Sequence, residues 1–247
     1  MIDAYVSVRE FEKSLSEYSG APCVVTVDSC SSALSLCCQY PSLQVGSLPE
    51  IEIPAVTYPS VASAIVHAGG RVKFYHNNSW QEKGWYALSP TGIVDSAKYL
   101  ARNMFIEMKK TLGHPHLYVC LSFHAKKSIP IGRGGAILTN SPKGAEWLRA
   151  ARFDGRHEKP LQEDTLMMPG WNCYMTPEQA SRGLVMMQWL PDFNLLKPDP
   201  YTDLSRYDFF TKANRLKSHC RMGRAVDKSS IQVGSKQSNL DKTDDRL

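Results

Sequence analysis

The alternation of short β-branched runs with amphipathic runs most constrains what this chain can fold into. Apolar runs typical of buried strands lie at residues 23–29 (CVVTVDS), 51–58 (IEIPAVTY), 116–124 (HLYVCLSFH) and 134–140 (GGAILTN). Runs with helical spacing or helix-boundary residues lie at 11–20, 31–40, 59–70 and 141–153. Strands that alternate with helices predict an α/β fold with a mostly parallel central sheet covered on both faces. We therefore expect a three-layer α/β/α domain.

This pattern weakens after about residue 190. The segment LPDFNLLKPDPYTD, which begins at Leu190, is rich in proline, and the last twenty or so residues are polar with few apolar side chains. Such a composition is typical of a disordered tail. We expect a main domain over residues 1–190, a short C-terminal segment over 191–225 and a disordered polar tail over 226–247.

The sequence carries no sign of secretion or of a membrane span. The opening stretch MIDAYVSVREFEKSL contains acids and no apolar signal-peptide core. No run approaches the ~20 apolar residues that a membrane helix requires. The seven cysteines form no C-x-x-C pair, and several lie in apolar runs, where a reduced thiol packs as a small hydrophobic group. We expect a soluble cytoplasmic protein with no membrane partner.

Charge and histidine spacing argue against two other classes of function. Residues 211–247 contain nine Lys/Arg and four Asp/Glu, so the net charge of +5 belongs to the tail and residues 1–210 balance. Nucleic-acid binding is therefore a minor alternative, supported by the tail and one Arg-Gly-Gly at 133–135. No histidine pair has useful metal-ligand spacing; His114 and His116 lie two apart without an acidic companion. We expect no metal site.

The segment SFHAKKSIPIGRGGAILTN places Lys127 just beyond a buried strand, in a loop closed by glycines. Partial burial at a strand end lowers the pKa of a lysine toward the free amine, which is the nucleophilic form. Such a lysine suits a Schiff base with an aldehyde cofactor. The alternative is that Lys126 and Lys127 are two solvated loop lysines and that the glycines only form a turn.

Three further positions could complete a cofactor site. Asp95 ends an apolar strand in GIVDSA, where a carboxylate could hold a pyridine nitrogen protonated; alternatively, it caps a helix. Ser31 lies where a strand passes into a helix, a favourable place for phosphate; alternatively, this serine or Ser29 is an N-cap. Tyr58 could stack on a flat ligand or be an ordinary loop aromatic.

Five segments in order resemble the DegT/DnrJ/StrS-like sugar aminotransferases, which are pyridoxal-phosphate enzymes of the aspartate-aminotransferase fold. The FE-helix, strand and Ser-Gly-Thr turn of that family resemble residues 11–36, FEKSLSEYSGAPCVVTVDSCSSALSL. The P-A-x-T-[FW] segment of the family resembles residues 51–76, IEIPAVTYPSVASAIVHAGGRVKFYH. GIVDSAKYL resembles E-D-A-A-Q/H, and SFHAKKSIPIGRGGAILTN resembles S-F-H-x-x-K-x-L-x-x-G-E-G-G-A. PGWNCYMTPEQASRGLVMMQWL resembles G-x-N-Y-R-M-T-x-x-Q-A. The resemblance covers about residues 11–188 and implies the large, pyridoxal-phosphate-binding domain over residues 1–190, with the small C-terminal domain largely missing.

The resemblance also implies a role for each matching residue. Lys127 would form the internal aldimine and move protons, and Asp95 would pair with the pyridinium nitrogen. The expected cofactor-binding residues are Ser31, Ser32 and Ser122 at the phosphate, Tyr58 on the ring, and Lys98 where the family has Gln or His near the ring hydroxyl. Asn172 would reach the phosphate of the partner subunit, which implies a homodimer with shared active sites.

The sequence departs from the family pattern in ways that bear on the substrate. Cys30 replaces the glycine before the phosphate-binding hydroxyls, Arg133 replaces an acid, and Tyr174 replaces the arginine of N-Y-R. The chain starts at the FE-helix and is short after Leu190. We expect a retained cofactor site and a reduced substrate side.

The sequence thus predicts a pyridoxal-phosphate-dependent aminotransferase. It would move an amino group from glutamate or glutamine to a keto-sugar, which we expect to be linked to a nucleotide. The alternative is a protein that binds the cofactor but has reduced catalysis and serves as a partner or scaffold.

Overall fold

The computed structural model describes residues 3–45 and 48–211 of the 247-residue chain, without the side chains of 41–45. The helices are α1 (Val6–Ser19), α2 (Cys30–Val45), α3 (Pro59–His67), α4 (Trp80–Lys83), α5 (Met104–Leu112), α6 (Pro142–Arg152), α7 (Pro177–Met187) and α8 (Asp208–Thr211). The strands are β1 (Cys23–Val27), β2 (Glu50–Pro54), β3 (Arg71–Tyr75), β4 (Tyr86–Leu88), β5 (Ile93–Asp95), β6 (Tyr99–Ala101), β7 (Tyr118–Ser122), β8 (Gly135–Thr139) and β9 (Phe193–Leu195).

Helix starts follow the local sequence closely. Pro59 and Pro142 occupy the first turns of α3 and α6, where a missing N–H costs nothing. The Ser141 hydroxyl accepts the Gly144 N–H at 3.1 Å and so caps α6. Helix α7 begins with a capping box between Thr176 and Gln179. These boundaries therefore need no tertiary contact to explain them.

Within the described part of the chain, the central sheet has five strands in the order β1-β8-β7-β5-β4. The expected α/β class is confirmed, but the sheet is mixed and not mostly parallel. Within it only β5 and β7 pair in parallel, whereas β1–β8, β8–β7 and β4–β5 are antiparallel. The connections from β4 to β5 and from β7 to β8 contain no helix, and such connections join antiparallel neighbours. Strands β2 and β3 form a separate parallel pair, and β6 pairs with β9.

Helices cover both faces of this sheet, as the three-layer expectation requires. On one face, Val25 and Ile137 pack in a core shared with α2, α3 and α6. On the other, Val24 and Leu138 pack in a core shared with α1, α5 and α7. The alternation follows from the two-residue period of strand side chains. Each face buries its own apolar layer, and this burial is the main stabilising contribution.

A buried ion pair ties three elements together beneath the first strand. Arg152, at the end of α6, is 2% exposed, and its Nη1 lies 2.5 Å from Oε1 of Glu12 on α1. The same guanidinium donates to the carbonyl of Thr26 at 2.6 Å, and its Nη2 pairs with Glu158 at 2.9 Å. Glu12 also accepts the N–H of Thr26 at 2.8 Å. This network fixes β1, whose carboxyl end leads into α2.

The chain beyond residue 190 packs on the same body. Strand β9 pairs with β6, and Leu204 and Phe210 are buried in the core of the first face. The division at residue 190 stays a prediction, and residues 226–247 lie outside the described part. No helix among the described residues is long and apolar enough to cross a membrane.

Strand direction gathers several chain segments at one edge. Strands β1, β5 and β7 run the same way, because β1 and β7 both pair antiparallel with β8 and β5 is parallel to β7. Their carboxyl ends therefore meet at one edge of the sheet, the usual place for ligands in α/β proteins.

Candidate active site

A cavity of about 990 Å³ opens at this edge. Its lining includes the basic side chains Lys98, Lys126, Lys127, Arg133 and Lys197, against the two acidic side chains Asp95 and Asp199. This excess of positive charge favours an anionic ligand. Among residues 3–45 and 48–211, no group of three His, Cys, Asp or Glu side chains could hold a metal ion.

The amino terminus of α2 forms one end of the cavity. Ser29 caps the helix by accepting the N–H of Ser32 at 3.1 Å, which is the N-cap considered as an alternative. Cys30 and Ser31 line the cavity beside the free first turn of the helix, where the helix dipole favours an anion. Burial raises the pKa of the Cys30 thiol well above its ordinary value, so it remains a neutral group.

Ser32 has a different environment from Ser31. Its hydroxyl donates to Oδ1 of Asp28 at 2.6 Å and lies 2.9 Å from the hydroxyl of Ser29. Ser32 is not among the residues that line the cavity. The structure therefore brings Ser31, but not Ser32, to the cavity wall.

A glycine on the neighbouring strand makes this end possible. A Cβ on Gly135 would lie 2.5 Å from the carbonyl carbon of Ser29 and 2.6 Å from the nitrogen of Cys30. Both contacts are to backbone atoms, which cannot move aside as a flexible side chain can. Gly135 thus lets β8 lie directly against the turn that leads into α2.

Asp95 ends β5 and lies at the floor of the cavity. Its Oδ1 accepts the N–H of Ala97 at 2.9 Å, and its Oδ2 accepts the hydroxyl of Tyr86 at 3.0 Å. Burial raises the pKa of Asp95, and the Ala97 and Tyr86 hydrogen bonds and the charge of Lys127 oppose that rise. No helix begins there, since β6 follows, so the alternative of a helix cap is wrong.

Lys127 is held in the connection between β7 and β8. Its N–H donates to the carbonyl of His124 at 2.8 Å, and the loop is closed by the Gly132 N–H bonding to Phe123 at 3.2 Å. Gly132 has φ of +113°, a conformation that favours glycine. Burial lowers the pKa of Lys127, although the charges of Asp199 and Asp95 oppose the shift. The side chain is half-buried, which argues against the solvated-loop alternative.

Part of the cavity wall is a segment that the sequence did not mark as functional. We call residues 196–201 the C-terminal strap. It is anchored at one end by the Leu196 N–H bonding to Lys98 O at 2.9 Å. Beyond its other end, the Leu204 N–H bonds to Ala55 O at 2.8 Å. A proline-rich composition gives no signal for such a role.

The strap brings a counter-ion to Lys98. Nζ of Lys98, a side chain only 2% exposed, lies 3.1 Å from Oδ2 of Asp199 in an ion pair without hydrogen-bond geometry. The Tyr201 hydroxyl donates to the same oxygen at 2.9 Å, and the Tyr201 ring stacks on Trp80. Burial acts to raise the pKa of Asp199, but the hydrogen bond from Tyr201 and the positive charges of Lys98 and Lys127 outweigh it, so the pKa is lowered.

The remaining predicted site residues divide between the cavity and the surface. Tyr58 and Ser122 line the cavity; Tyr58 is 56% exposed and meets the Tyr201 ring edge-on at 6.2 Å. Asn172 is exposed outside the lining, where its side chain donates to Asp154 at 3.2 Å. Its expected reach into a partner subunit stays a prediction.

Two of the departures noted in the sequence have structural counterparts. Arg133 pairs with Oδ2 of Asp28 at 2.5 Å, beside the amino terminus of α2. It therefore neutralises the acid that holds Ser32. Tyr174 packs in an aromatic cluster with Tyr5 and Phe153, away from the cavity lining.

Comparison with known proteins adds a family and a fold. The model of the DegT/DnrJ/EryC1/StrS aminotransferase family matches residues 1–80 and 97–206. A curated relative from Campylobacter jejuni, UDP-4-amino-4,6-dideoxy-N-acetyl-beta-L-altrosamine transaminase, is 24% identical over 82% of this chain and 61% of its own length. This chain thus spans about three fifths of that relative.

Solved structures show the same fold. Helicobacter pylori PseC, an aminotransferase involved in the biosynthesis of pseudoaminic acid, aligns with a TM-score of 0.57 and 20% identity. That alignment covers 75% of this chain and 58% of PseC. A putative sugar aminotransferase from Streptococcus pneumoniae in its PLP-form aligns with a TM-score of 0.54 and 19% identity, over 75% of this chain and 59% of that one.

Proposed function

This chain belongs to the DegT/DnrJ/EryC1/StrS aminotransferase family, and we propose that it is a pyridoxal-phosphate-dependent aminotransferase. The amino donor is glutamate or glutamine, and the acceptor is a keto-sugar linked to a nucleotide. The observation that carries the proposal is the meeting of Lys127, Asp95 and the amino terminus of α2 in one cavity. The printed name of the Campylobacter relative, a transaminase of a UDP-sugar, supports the acceptor class.

The donor set of the cavity fits the cofactor. The first turn of α2, with Ser31 and Ser122, offers N–H and hydroxyl groups to a phosphate. Asp95 offers a buried carboxylate to a ring nitrogen, and the exposed face of Tyr58 is available to stack on the ring. Lys98 would lie near the ring hydroxyl. Of the residues proposed for the phosphate, Ser32 has the weakest support, because its hydroxyl bonds to Asp28.

Lys127 and Asp95 divide the chemical work. Pyridoxal phosphate, when bound, withdraws electrons from the carbon that carries the amino group and so makes its proton acidic. Lys127 binds the cofactor through Nζ and, with its pKa lowered by burial, can accept and return that proton. Asp95 keeps a proton on the ring nitrogen by offering it a carboxylate.

Other parts of the proposal concern the assembly. Residues 1–190 form the cofactor domain and 191–225 a C-terminal segment. The protein works in the cytoplasm as a homodimer in which Asn172 reaches the cofactor phosphate of the partner subunit. The exposure of Asn172 on the surface is compatible with such a contact.

The test compares two adjacent lysines. Pyridoxal phosphate is added to the wild type, Lys127→Ala and Lys126→Ala, and visible absorbance is recorded before and after glutamate. Lys126 is exposed in the same loop and serves as the matched control. We expect a band in the wild type and Lys126→Ala, absent in Lys127→Ala, that is bleached by glutamate. Persistence of the band and of donor turnover in Lys127→Ala would refute the proposal.

A second candidate is a protein that holds the cofactor without turning it over. The Lys98–Asp199 ion pair favours it, because a lysine of the cavity wall is already engaged by an acid of the strap. This candidate predicts a band that requires Lys127 and does not respond to glutamate or glutamine. Release of 2-oxoglutarate from glutamate by the purified protein would eliminate it.

A further inference from the structure

Three buried polar side chains, two of which line the cavity, form a directed series of hydrogen bonds. Thr57 follows β2, Tyr86 begins β4 and Asp95 ends β5, and they are 1%, 5% and 7% exposed. Oγ1 of Thr57 lies 2.6 Å from the Tyr86 hydroxyl, which lies 3.0 Å from Oδ2 of Asp95. A phenol has one hydrogen and a carboxylate only accepts. Tyr86 therefore donates to Asp95 and accepts from Thr57.

These hydrogen bonds fix the orientation of the Asp95 carboxylate. Oδ1 is held by the Ala97 N–H at 2.9 Å and Oδ2 by Tyr86, so both oxygens have a donor from the protein. The ring of Trp80 packs edge-on against the Tyr86 ring, with centroids 4.9 Å apart, and holds the phenol in turn. Because Asp95 lines the cavity, these contacts set the direction in which it meets a ligand there.

We propose that Tyr86 is the positioning residue that aims Asp95 at the ring nitrogen of the cofactor and keeps it a carboxylate. The inference rests on the proposed function and deepens it. Tyr86 and Asp95 both lie within residues 81–96, between the two ranges that the family model matches. The contact between them therefore rests on the structure and not on that match.

The electrostatics of the pair agree with this role. Burial raises the pKa of Asp95, and the hydrogen bond from Tyr86 favours the charged form and opposes the rise. Burial also raises the pKa of Tyr86 well above its ordinary value, so the phenol keeps its proton and remains a donor. Loss of the hydroxyl would leave the buried carboxylate with one fewer donor.

The experiment measures affinity for two ligands, pyridoxal phosphate and its analogue with C–H in place of the ring nitrogen. The analogue keeps the aldehyde and the phosphate, so the ratio of the two affinities isolates the contact with Asp95. We expect the wild type to prefer pyridoxal phosphate by about 10-fold or more, the range for a hydrogen bond to a charged group. Tyr86→Phe should reduce that preference by about 3-fold, and Asp95→Asn should abolish it.

Two further variants control for effects of folding. Tyr118→Phe removes the hydroxyl of another buried tyrosine in the same core and should leave the preference unchanged. Thr57→Val removes the donor to Tyr86 but leaves the Tyr86 hydroxyl in place. This variant should therefore reduce the preference for pyridoxal phosphate less than Tyr86→Phe does. If Tyr86→Phe does not fold, Thr57→Val still tests the hydrogen bonds that lead to Asp95. An unchanged preference for pyridoxal phosphate in Thr57→Val would then overturn the positioning role of Tyr86.

The outcomes separate the two proposals. If the wild type binds neither ligand through Lys127, the proposed function fails. If the wild type prefers pyridoxal phosphate and Tyr86→Phe keeps that preference, the inference fails while the proposed function stands. Equal weakening of both ligands in Tyr86→Phe would show an effect on the fold alone and would also overturn the inference.

Discussion

The two ends of the cavity are built in different ways. The α2 end, formed by Ser29, Cys30 and Ser31, consists of a helix terminus and its backbone, and a ligand finds its N–H groups already in place. The strap end, formed by Lys98, Asp199 and Tyr201, consists of side chains from segments far apart in sequence that bond to one another. The α2 end is therefore preformed, whereas a ligand at the strap end must compete with Asp199.

This contrast separates cofactor binding from substrate binding. A preformed anion site loses little conformational entropy when it binds, so affinity there depends chiefly on the fold. Where an internal ion pair already occupies a site, the net affinity for a ligand is the difference between the interaction free energy of the ligand and that of the internal partner. We expect changes behind the α2 end to affect stability and cofactor affinity together, and changes at the strap to affect ligand choice.

The largest effect should come from the ion pair beneath the α2 end. Arg152→Met leaves the buried Glu12 with only the more distant Arg149, at 3.8 Å, and should destabilise the protein by about 3–5 kcal/mol, with loss of cofactor binding. Arg102→Met is the control, because Arg102 is 50% exposed and its pair with Asp192 is worth at most ~1 kcal/mol. Urea unfolding measures both. Equal effects would show that the buried network does not support this end.

A smaller but more local effect is expected at the strand beside α2. Gly135→Ala forces a Cβ against the backbone of Ser29 and Cys30 and should cost about 1–3 kcal/mol, with a weaker affinity for pyridoxal phosphate. Gly134→Ala is the matched control, since the three atoms nearest to its Cβ would all belong to side chains, Cε of Met175 at 3.0 Å and Cβ and Cδ2 of Phe123 at 3.3 and 3.4 Å. Comparable affinity in the two variants would contradict the close approach described for Gly135.

The pH dependence of cofactor capture tests the environment of Lys127. Because burial lowers the pKa of its amine, the free form is present at lower pH than for a solvated lysine of pKa about 10.4. The rate of covalent capture of pyridoxal phosphate should therefore rise with pH and level off below that value. Asp95→Asn removes a charge that raises this pKa and should move the midpoint further down. A midpoint at or above that of a solvated lysine would be inconsistent with the observed burial.

A further effect on stability is expected at the strap. Asp199 is 48% exposed, but its partner Lys98 is only 2% exposed, so Asp199→Asn leaves a buried cation without its counter-ion and should destabilise the protein by about 1–2 kcal/mol. It frees Lys98, however, and should tighten the binding of inorganic phosphate or glutamate several-fold, as measured by calorimetry. Asp192→Asn, an acid 73% exposed outside the cavity lining, should change neither. Unchanged anion binding in Asp199→Asn would mean that the strap does not compete with ligands.

The sequence predicted the parts of the site that follow directly from strand ends. Lys127, Asp95 and Ser31 each come just after an apolar strand, and that position placed them at one edge before any contact was known. Tyr58 follows the same rule. The family resemblance was confirmed, because the family model matches residues 1–80 and 97–206.

What the sequence missed depends on contacts between distant segments. Tyr86 sits in an ordinary short strand, and nothing local marks the bond to Asp95 nine residues later. Asp199 and Tyr201 lie in a proline-rich stretch more than a hundred residues after Lys98 and Trp80, the residues that they contact. Ser32 was predicted to bind the cofactor phosphate, but its hydroxyl donates to Asp28.

The sequence by itself thus determined the α/β class, the family and the residues at the strand ends, since apolar periodicity and short motifs are local properties of the chain. The tertiary structure alone decided the strand directions, the choice of Ser31 over Ser32 at the cavity wall, the support of Asp95 by Tyr86, and the closure of the strap over Lys98. These depend on which segments meet in space, and the meeting is set by the burial of two apolar cores against one sheet.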